Sequence, residues 1–132
     1  MSQENVEIVR RVYDATNRGD YETVETFLHP EIEFHTYARS PEAGVYRGKQ
    51  SVREYNENLF AQFESIRFEV EQLVDAGDQV VIVTTQHAVP RGSGQEMNVH
   101  LAEVWTVRDG LLAERRSFTS RAEALEAAGL SE

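Results

Sequence analysis

A carboxylate stands where the strand pattern calls for an apolar side chain. From Met97 to Val107 the residues alternate, with Met97, Val99, Leu101, Glu103, Trp105 and Val107 on one face and Asn98, His100, Ala102, Val104 and Thr106 on the other. Five of the six in the first set are large and apolar, so that face looks into a core. A lone ionised carboxylate is too costly to bury, so Glu103 is protonated, paired or beside a water-filled cavity. The Asp109-Gly110 pair that follows is a two-residue hairpin signal, which sets Arg108 opposite Leu111. Continuing that ladder places Leu101 opposite Phe118 and Glu103 opposite Arg116. A guanidinium there would hold the carboxylate ionised, either as a satisfied cross-strand ion pair or as a positioned pair facing substrate. A bulge between them would turn Arg116 to the other face.

Histidines supply the second set of candidates. On alternation alone, His35 shares a face with Glu31, Glu33 and Tyr37, while Ile32 and Phe34 face the core. That makes His35 an exposed strand histidine, or a general base at a cavity rim, since imidazole titrates near neutrality. His87 shares a register with Val81, Val83, Thr85 and Val89, which points it inward as a hydrogen-bonded core residue or a pocket residue. His100 lies on the face opposite Glu103 and reads as surface or interface. Tyr13, Tyr55, Phe60 and Trp105 form an aromatic set, and the hydroxyls of Tyr13 and Tyr55 need partners if buried.

Several chemistries lack their residues. There is no cysteine, hence no thiol nucleophile, and no Gly-x-Ser-x-Gly elbow. No His-x-His, His-Glu-x-x-His or Cys/His cluster signals a metal, and neither a phosphate-binding loop nor a dinucleotide fingerprint is present. The expectation is unaided proton transfer or ligand binding, with no cofactor and no metal. A formal charge of −10 argues against a nucleic-acid partner. No apolar run approaches a membrane span, and no signal-peptide block opens the chain, so a cytoplasmic protein without a membrane partner is expected.

These groups must be held by a single domain, which 132 residues suffice to build. Val6, Val9, Val12, Tyr13 and Thr16 recur at helical spacing, and Asp20 caps a second short helix that buries Val24, Phe27 and Leu28. Glu31 to Tyr37 alternates as a strand, Val45 to Arg47 is a short one, and Lys49 to Phe63 is helical. Four strands follow, Ile66 to Asp75, Gln79 to Pro90, Glu96 to Arg108 and Leu111 to Phe118. A closing helix is opened by the capping box Ser120 to Glu123 and ended by Gly129. The order α-α-β-β-α-β-β-β-β-α predicts an α+β domain with helices on a curved antiparallel sheet. Val80 to Val83, Ala102 and Val104 are apolar in both registers, so the second face of the sheet is covered, most simply by another copy in a homodimer.

Arg18-Gly19-Asp20, Leu28-His29-Pro30-Glu31, Tyr46-Arg47-Gly48, Asp75-Ala76-Gly77-Asp78, Val104 to Gly110 and Ala122 to Leu130 together resemble the SnoaL-like branch of the nuclear-transport-factor-2-like superfamily, over essentially the whole chain. The resemblance implies one SnoaL-like domain over residues 1–132, a cone-shaped barrel with N-terminal helices packed on the concave face of its sheet. By the same resemblance, the general base of ketosteroid isomerases falls on His35 and their oxyanion-hole acid on Glu103, which puts His35 inside the pocket. Their oxyanion tyrosine falls near Val12, leaving that role to Tyr13 or Tyr55. The implied function is cofactor-independent isomerase- or cyclase-type proton transfer on a small apolar carbonyl compound, with catalytic His35 and Glu103. Tyr13, Tyr37, Tyr55, His87, Trp105 and Arg116 would contact the substrate. The alternative is non-catalytic binding or sensing of a small hydrophobic molecule.

Overall fold

The computed structural model describes residues 2–36 and 44–130. Ten elements follow one another: α1 (Ser2–Asn17), α2 (Tyr21–Thr26), β1 (Leu28–His35), β2 (Val45–Arg47), α3 (Lys49–Ala61), β3 (Phe63–Ala76), β4 (Gln79–Pro90), β5 (Met97–Arg108), β6 (Leu111–Phe118) and α4 (Arg121–Ala127). This is the order the sequence predicts. Two boundaries shift by three residues: Leu28 opens β1 instead of closing α2, and Phe63 opens β3 instead of closing α3.

The six strands form one curved, unclosed sheet in the order β2-β1-β6-β5-β4-β3. The sheet is mixed rather than wholly antiparallel, because β1 runs parallel to β6 while every other neighbouring pair is antiparallel. Antiparallel hairpins join sequential strands, whereas β1 reaches β6 from the far end of the chain. Register shifts at Val70/Gln72 and Thr106/Val107 bend the sheet around α1 and α3. On the concave side Val9, Val12, Ile32, Val52, Ile82 and Leu112 are almost wholly buried. Each such side chain contributes about 1.5–3 kcal/mol by leaving water.

The outer face has its own cover. Val81, Ala102 and Val104 pack against Ala124 and Leu125 of α4. Of the predicted capping box, the Ser120 half forms. Ser120 Oγ accepts the Glu123 N–H at 3.2 Å and donates to Glu123 Oε1 at 3.2 Å. Gly129, at φ 78°, turns the chain out of α4.

Candidate functional site

The alternation of β5 behaves as the sequence predicts: Leu101, Glu103, Trp105 and Val107 face the concave side, and Ala102 and Val104 face α4. Between that concave face and the helices lies a cavity of about 430 Å³, within the ~300–1,000 Å³ range of small-molecule sites. Its walls are apolar, with Val12, Leu28, Phe34, Val52, Leu101 and Trp105 among them. Polar side chains gather at two places, a buried pole at Glu103 and a rim on α2 and α3.

Glu103 is only 6% exposed, and three side chains converge on it. Tyr13 Oη, from α1, donates a short hydrogen bond to Oε1. Ser117 Oγ donates to Oε2 at 2.8 Å. Arg115 Nε lies 3.2 Å from the same Oε2 as an ion pair, and Trp105 Nε1 donates to Tyr13 Oη at 3.2 Å. The Arg115 guanidinium also lies over the Phe34 ring, 3.8 Å from its centroid, which attracts it through the ring quadrupole.

The charges at this pole stabilise one another. Burial works most strongly against the charged form of Arg115, but the Glu103 carboxylate, Tyr55 and Tyr13 together outweigh it, and the arginine pKa is raised. Burial, reinforced by the neighbouring Glu103 charge, pushes the Tyr13 phenol well above its ordinary value. Tyr13 is therefore a fixed hydrogen-bond donor rather than a phenolate. The pole comprises one carboxylate and one guanidinium in apolar surroundings, with two hydroxyls completing the carboxylate's contacts.

The partner of Glu103 is Arg115 and not Arg116. Asp109 and Gly110 take the positive φ values of a two-residue hairpin, 57° and 74°, and Arg108 does pair with Leu111. A bulge then intervenes: Val107 pairs with Leu112 but Thr106 with Glu114, so the register slips by one and Glu103 faces Ser117. Arg116 consequently turns to the outer face, where its Nε lies 3.4 Å from Glu114 Oε1. Sequence reasoning missed Arg115 and Ser117 for this reason, since no residue type in β6 marks the bulge.

Of the other expected site residues, Tyr13, Tyr55 and Trp105 line the cavity with Glu103. Tyr13 thus takes the place beside Glu103 that the resemblance left open. His35 does not share the cavity. It sits on the outer face of β1, its Nε2 3.1 Å from Glu33 Oε1 and 3.4 Å from Glu114 Oε2, as plain strand alternation predicts and against the resemblance. Phe34, its neighbour, is the residue that points inward. His87 is also outside, because its register is the one that runs from Val81 along the outer face. It bonds Glu69 at 2.7 Å and Asn98 at 2.8 Å, and Gln86 takes the inward place. Tyr37 lies outside the described residues.

At the rim, Arg53 of α3 grips Glu25 of α2 through two hydrogen bonds, one of 2.9 Å from Nε. Beside it Tyr21 stacks on Phe60 with ring centroids 5.3 Å apart. These contacts tie the two helices together over the mouth. No helix among the described residues is long and apolar enough to cross a membrane.

Comparison with known proteins matches residues 9–115 to the family model of the SnoaL-like domain. Among solved structures, the chain is similar to Bal32a from a soil-derived mobile gene cassette, at 22% identity over 93% of this chain and 94% of that one, with TM-score 0.82. It is similar to an NTF2-like protein of Burkholderia thailandensis E264, at 29% identity over 94% and 95%, TM-score 0.78. It also resembles a candidate SnoaL-like polyketide cyclase of Jannaschia sp. CCS1, at 24% identity over 96% and 92%, TM-score 0.78. No curated protein matches the chain.

Proposed function

The chain belongs to the SnoaL-like domain family, and from that premise we propose that its cavity binds a small, largely apolar carbonyl compound and that Glu103 moves a proton on it. The observation that carries this reading is the Glu103–Arg115 pair set into the wall of an apolar cavity. A carboxylate there can take the proton from a carbon next to a carbonyl. The C–H electron pair becomes the enolate double bond, and the negative charge moves onto the substrate oxygen. Glu103 becomes neutral at that moment, so Arg115 exchanges a carboxylate counter-ion for an enolate one and the cavity's net charge is unchanged. Returning the proton to a different carbon isomerises the substrate. If the enolate carbon instead attacks a second carbonyl of the same molecule, a ring closes and Glu103 gives its proton to the new alkoxide. The candidate cyclase among the structural neighbours is in keeping with either outcome.

Tyr13 holds the carboxylate in place and donates a hydrogen bond whichever way the proton moves. Phe34, Tyr55 and Trp105 supply flat apolar contact for the body of the substrate.

One observation favours a second reading, binding without turnover. Both oxygens of Glu103 are already engaged, Oε1 by Tyr13 and Oε2 by Ser117 and Arg115, which leaves the second lone pair of Oε1 as the place for a proton and lowers the basicity of the group. The deciding experiment screens neutral aromatic ketones, enones and hydroxylated aromatic ketones by thermal shift. Compounds that bind are then followed by NMR in deuterated water. Proton transfer predicts deuterium entering the carbon next to the carbonyl with wild type and not with Glu103→Gln, while both proteins bind. Binding without exchange in wild type selects the second reading, and equal exchange by Glu103→Gln removes Glu103 from the reaction.

A further inference from the structure

On the opposite face of the sheet, where no cavity residue reaches, β1 and β6 bring three metal-ligating side chains together. We infer that Glu33, His35 and Glu114 form a binding site for a divalent transition-metal cation of the zinc type. Alternation along β1 puts Glu33 and His35 two residues apart on one face, and the parallel ladder sets Glu114 beside Glu33. His35 Nε2, one oxygen of Glu33 and one of Glu114 all lie within 4.8 Å of one another, and all three side chains are half-buried.

The pattern of oxygens carries the inference. Glu33 turns Oε1 to His35 at 3.1 Å and Oε2 to Arg47 Nε at 3.3 Å. Glu114 turns Oε2 to His35 at 3.4 Å and Oε1 to Arg116 Nε at 3.4 Å, with Thr106 Oγ1 also 3.4 Å from Oε1. The outer oxygen of Glu33 accepts from Arg47 and that of Glu114 from Thr106, with Arg116 at ion-pair distance, and the inner oxygen of each is aimed at the same nitrogen. That nitrogen carries at most one hydrogen, which cannot serve two acceptors well. A cation between the three atoms satisfies all of them at once.

The spacing suits such an ion. Ligands held about 2.1 Å from a tetrahedral centre lie about 3.4 Å apart, close to the 3.1 and 3.4 Å found here. Hydrogen bonds to the outer oxygens are the arrangement that orients metal-bound carboxylates, with Arg47 and Thr106 in the supporting positions. One imidazole with two carboxylates favours zinc, cobalt, nickel or copper over magnesium and calcium, which prefer all-oxygen shells. Glu33 and Glu114 also line a surface groove together with Arg47 and Arg108. A metal here would fasten the parallel β1–β6 pair and stabilise the fold by mass action.

The test is calorimetric titration of untagged protein with Zn²⁺, paralleled by the visible spectrum of added Co²⁺. The expectation is one saturable equivalent, a Co²⁺ spectrum of four- or five-coordinate type, a melting temperature that rises with Zn²⁺, and no competition from Mg²⁺. His35→Gln removes the site, Glu114→Gln weakens it at least about tenfold, and Arg47→Gln weakens it by about that factor by freeing Glu33. Glu103→Gln leaves Zn²⁺ affinity as in wild type, because it alters only the cavity. Circular dichroism of the metal-free variants separates loss of ligand from loss of fold. Should His35→Gln fail to fold, the Glu114→Gln and Arg47→Gln titrations decide. Absence of saturable Zn²⁺ binding, or equal binding by a folded His35→Gln, overturns the inference and leaves the cluster as a ladder of ion pairs.

Discussion

Replacing Arg115 by methionine takes the only cation among the described residues from the buried pole and leaves Glu103, whose side chain is 8% exposed, among apolar walls. Tyr13 and Ser117 still donate to its two oxygens, but neither carries charge. At an effective dielectric near 20, two unit charges about 4 Å apart attract by about 4 kcal/mol, and removing one member of a buried pair costs about 3–5 kcal/mol. Loss of the stack on Phe34 adds about 1 kcal/mol, partly recovered by the methionine's own packing. For a domain of this size each kcal/mol is worth roughly 3–5 °C, so Arg115→Met is expected to melt on the order of 10 °C or more below wild type. The second half of the prediction is sharper. Glu103→Gln together with Arg115→Met removes both charges, keeps hydrogen-bonding groups for Tyr13 and Ser117, and should recover most of that loss. Thermal and urea unfolding of wild type, both single variants and the double variant give the coupling directly, expected at about 2 kcal/mol or more. A single-variant loss under about 1 kcal/mol, or strictly additive single effects, would refute the reading of Glu103 and Arg115 as one buried pair.

The other expectations are narrower. Tyr13→Phe deletes the donor to Glu103 and the acceptor of Trp105 Nε1, and should cost about 2 kcal/mol in urea unfolding. Ser120→Ala loses the cap of α4 and should cost about 1 kcal/mol, with exposure of the Val81–Val104 patch seen as faster amide exchange in β4 and β5. His87 faces Glu69, Glu96 and Asn98, with Arg67 opposing, and the Glu69 hydrogen bond chiefly raises its pKa above the ordinary 6.5. A pKa raised by folding means that the stabilisation is fully present below the unfolded value and is lost as pH rises through the folded one. His87→Gln should therefore lower the melting temperature most at mildly acid pH, with the difference shrinking at alkaline pH. His35→Ala should leave cavity-ligand affinity unchanged in a thermal-shift titration, since His35 stands on the opposite face.

Periodicity made most of the fold legible. The cap at Ser120, the Asp109-Gly110 turn and the alternation of β5 are local signals, fixed within a few residues, and each appears where its residues put it. Glu103 was legible because a charge in an apolar register needs a partner. The identity of that partner was not, because it depends on a bulge two residues from the hairpin, and one slipped residue exchanges Arg116 for Arg115. The side of β4 that bears His87 was equally hidden. Both of its registers are apolar, and only the docking of α4 decides which one is the outer face. His35 shows the opposite case, in which simple alternation along β1 placed the side chain correctly and the wider resemblance did not.

A buried ion pair is a poor way to hold a curved sheet and its helices together, because apolar residues of similar volume commonly do as well or better. Its presence in the wall of an otherwise apolar cavity therefore calls for another explanation, and the double variant supplies the means to find it. Glu103→Gln/Arg115→Met should approach wild-type stability while keeping the volume and the aromatic walls of the cavity. If that protein still binds the ligands found for wild type with equal affinity and the same exchange chemistry, the pair has no part in recognition or turnover. Loss of binding or of deuterium exchange in a protein of nearly unchanged stability would separate the two roles. The charges would then serve the ligand, and Tyr13, Ser117 and Phe34 would be the scaffold that makes burying them tolerable.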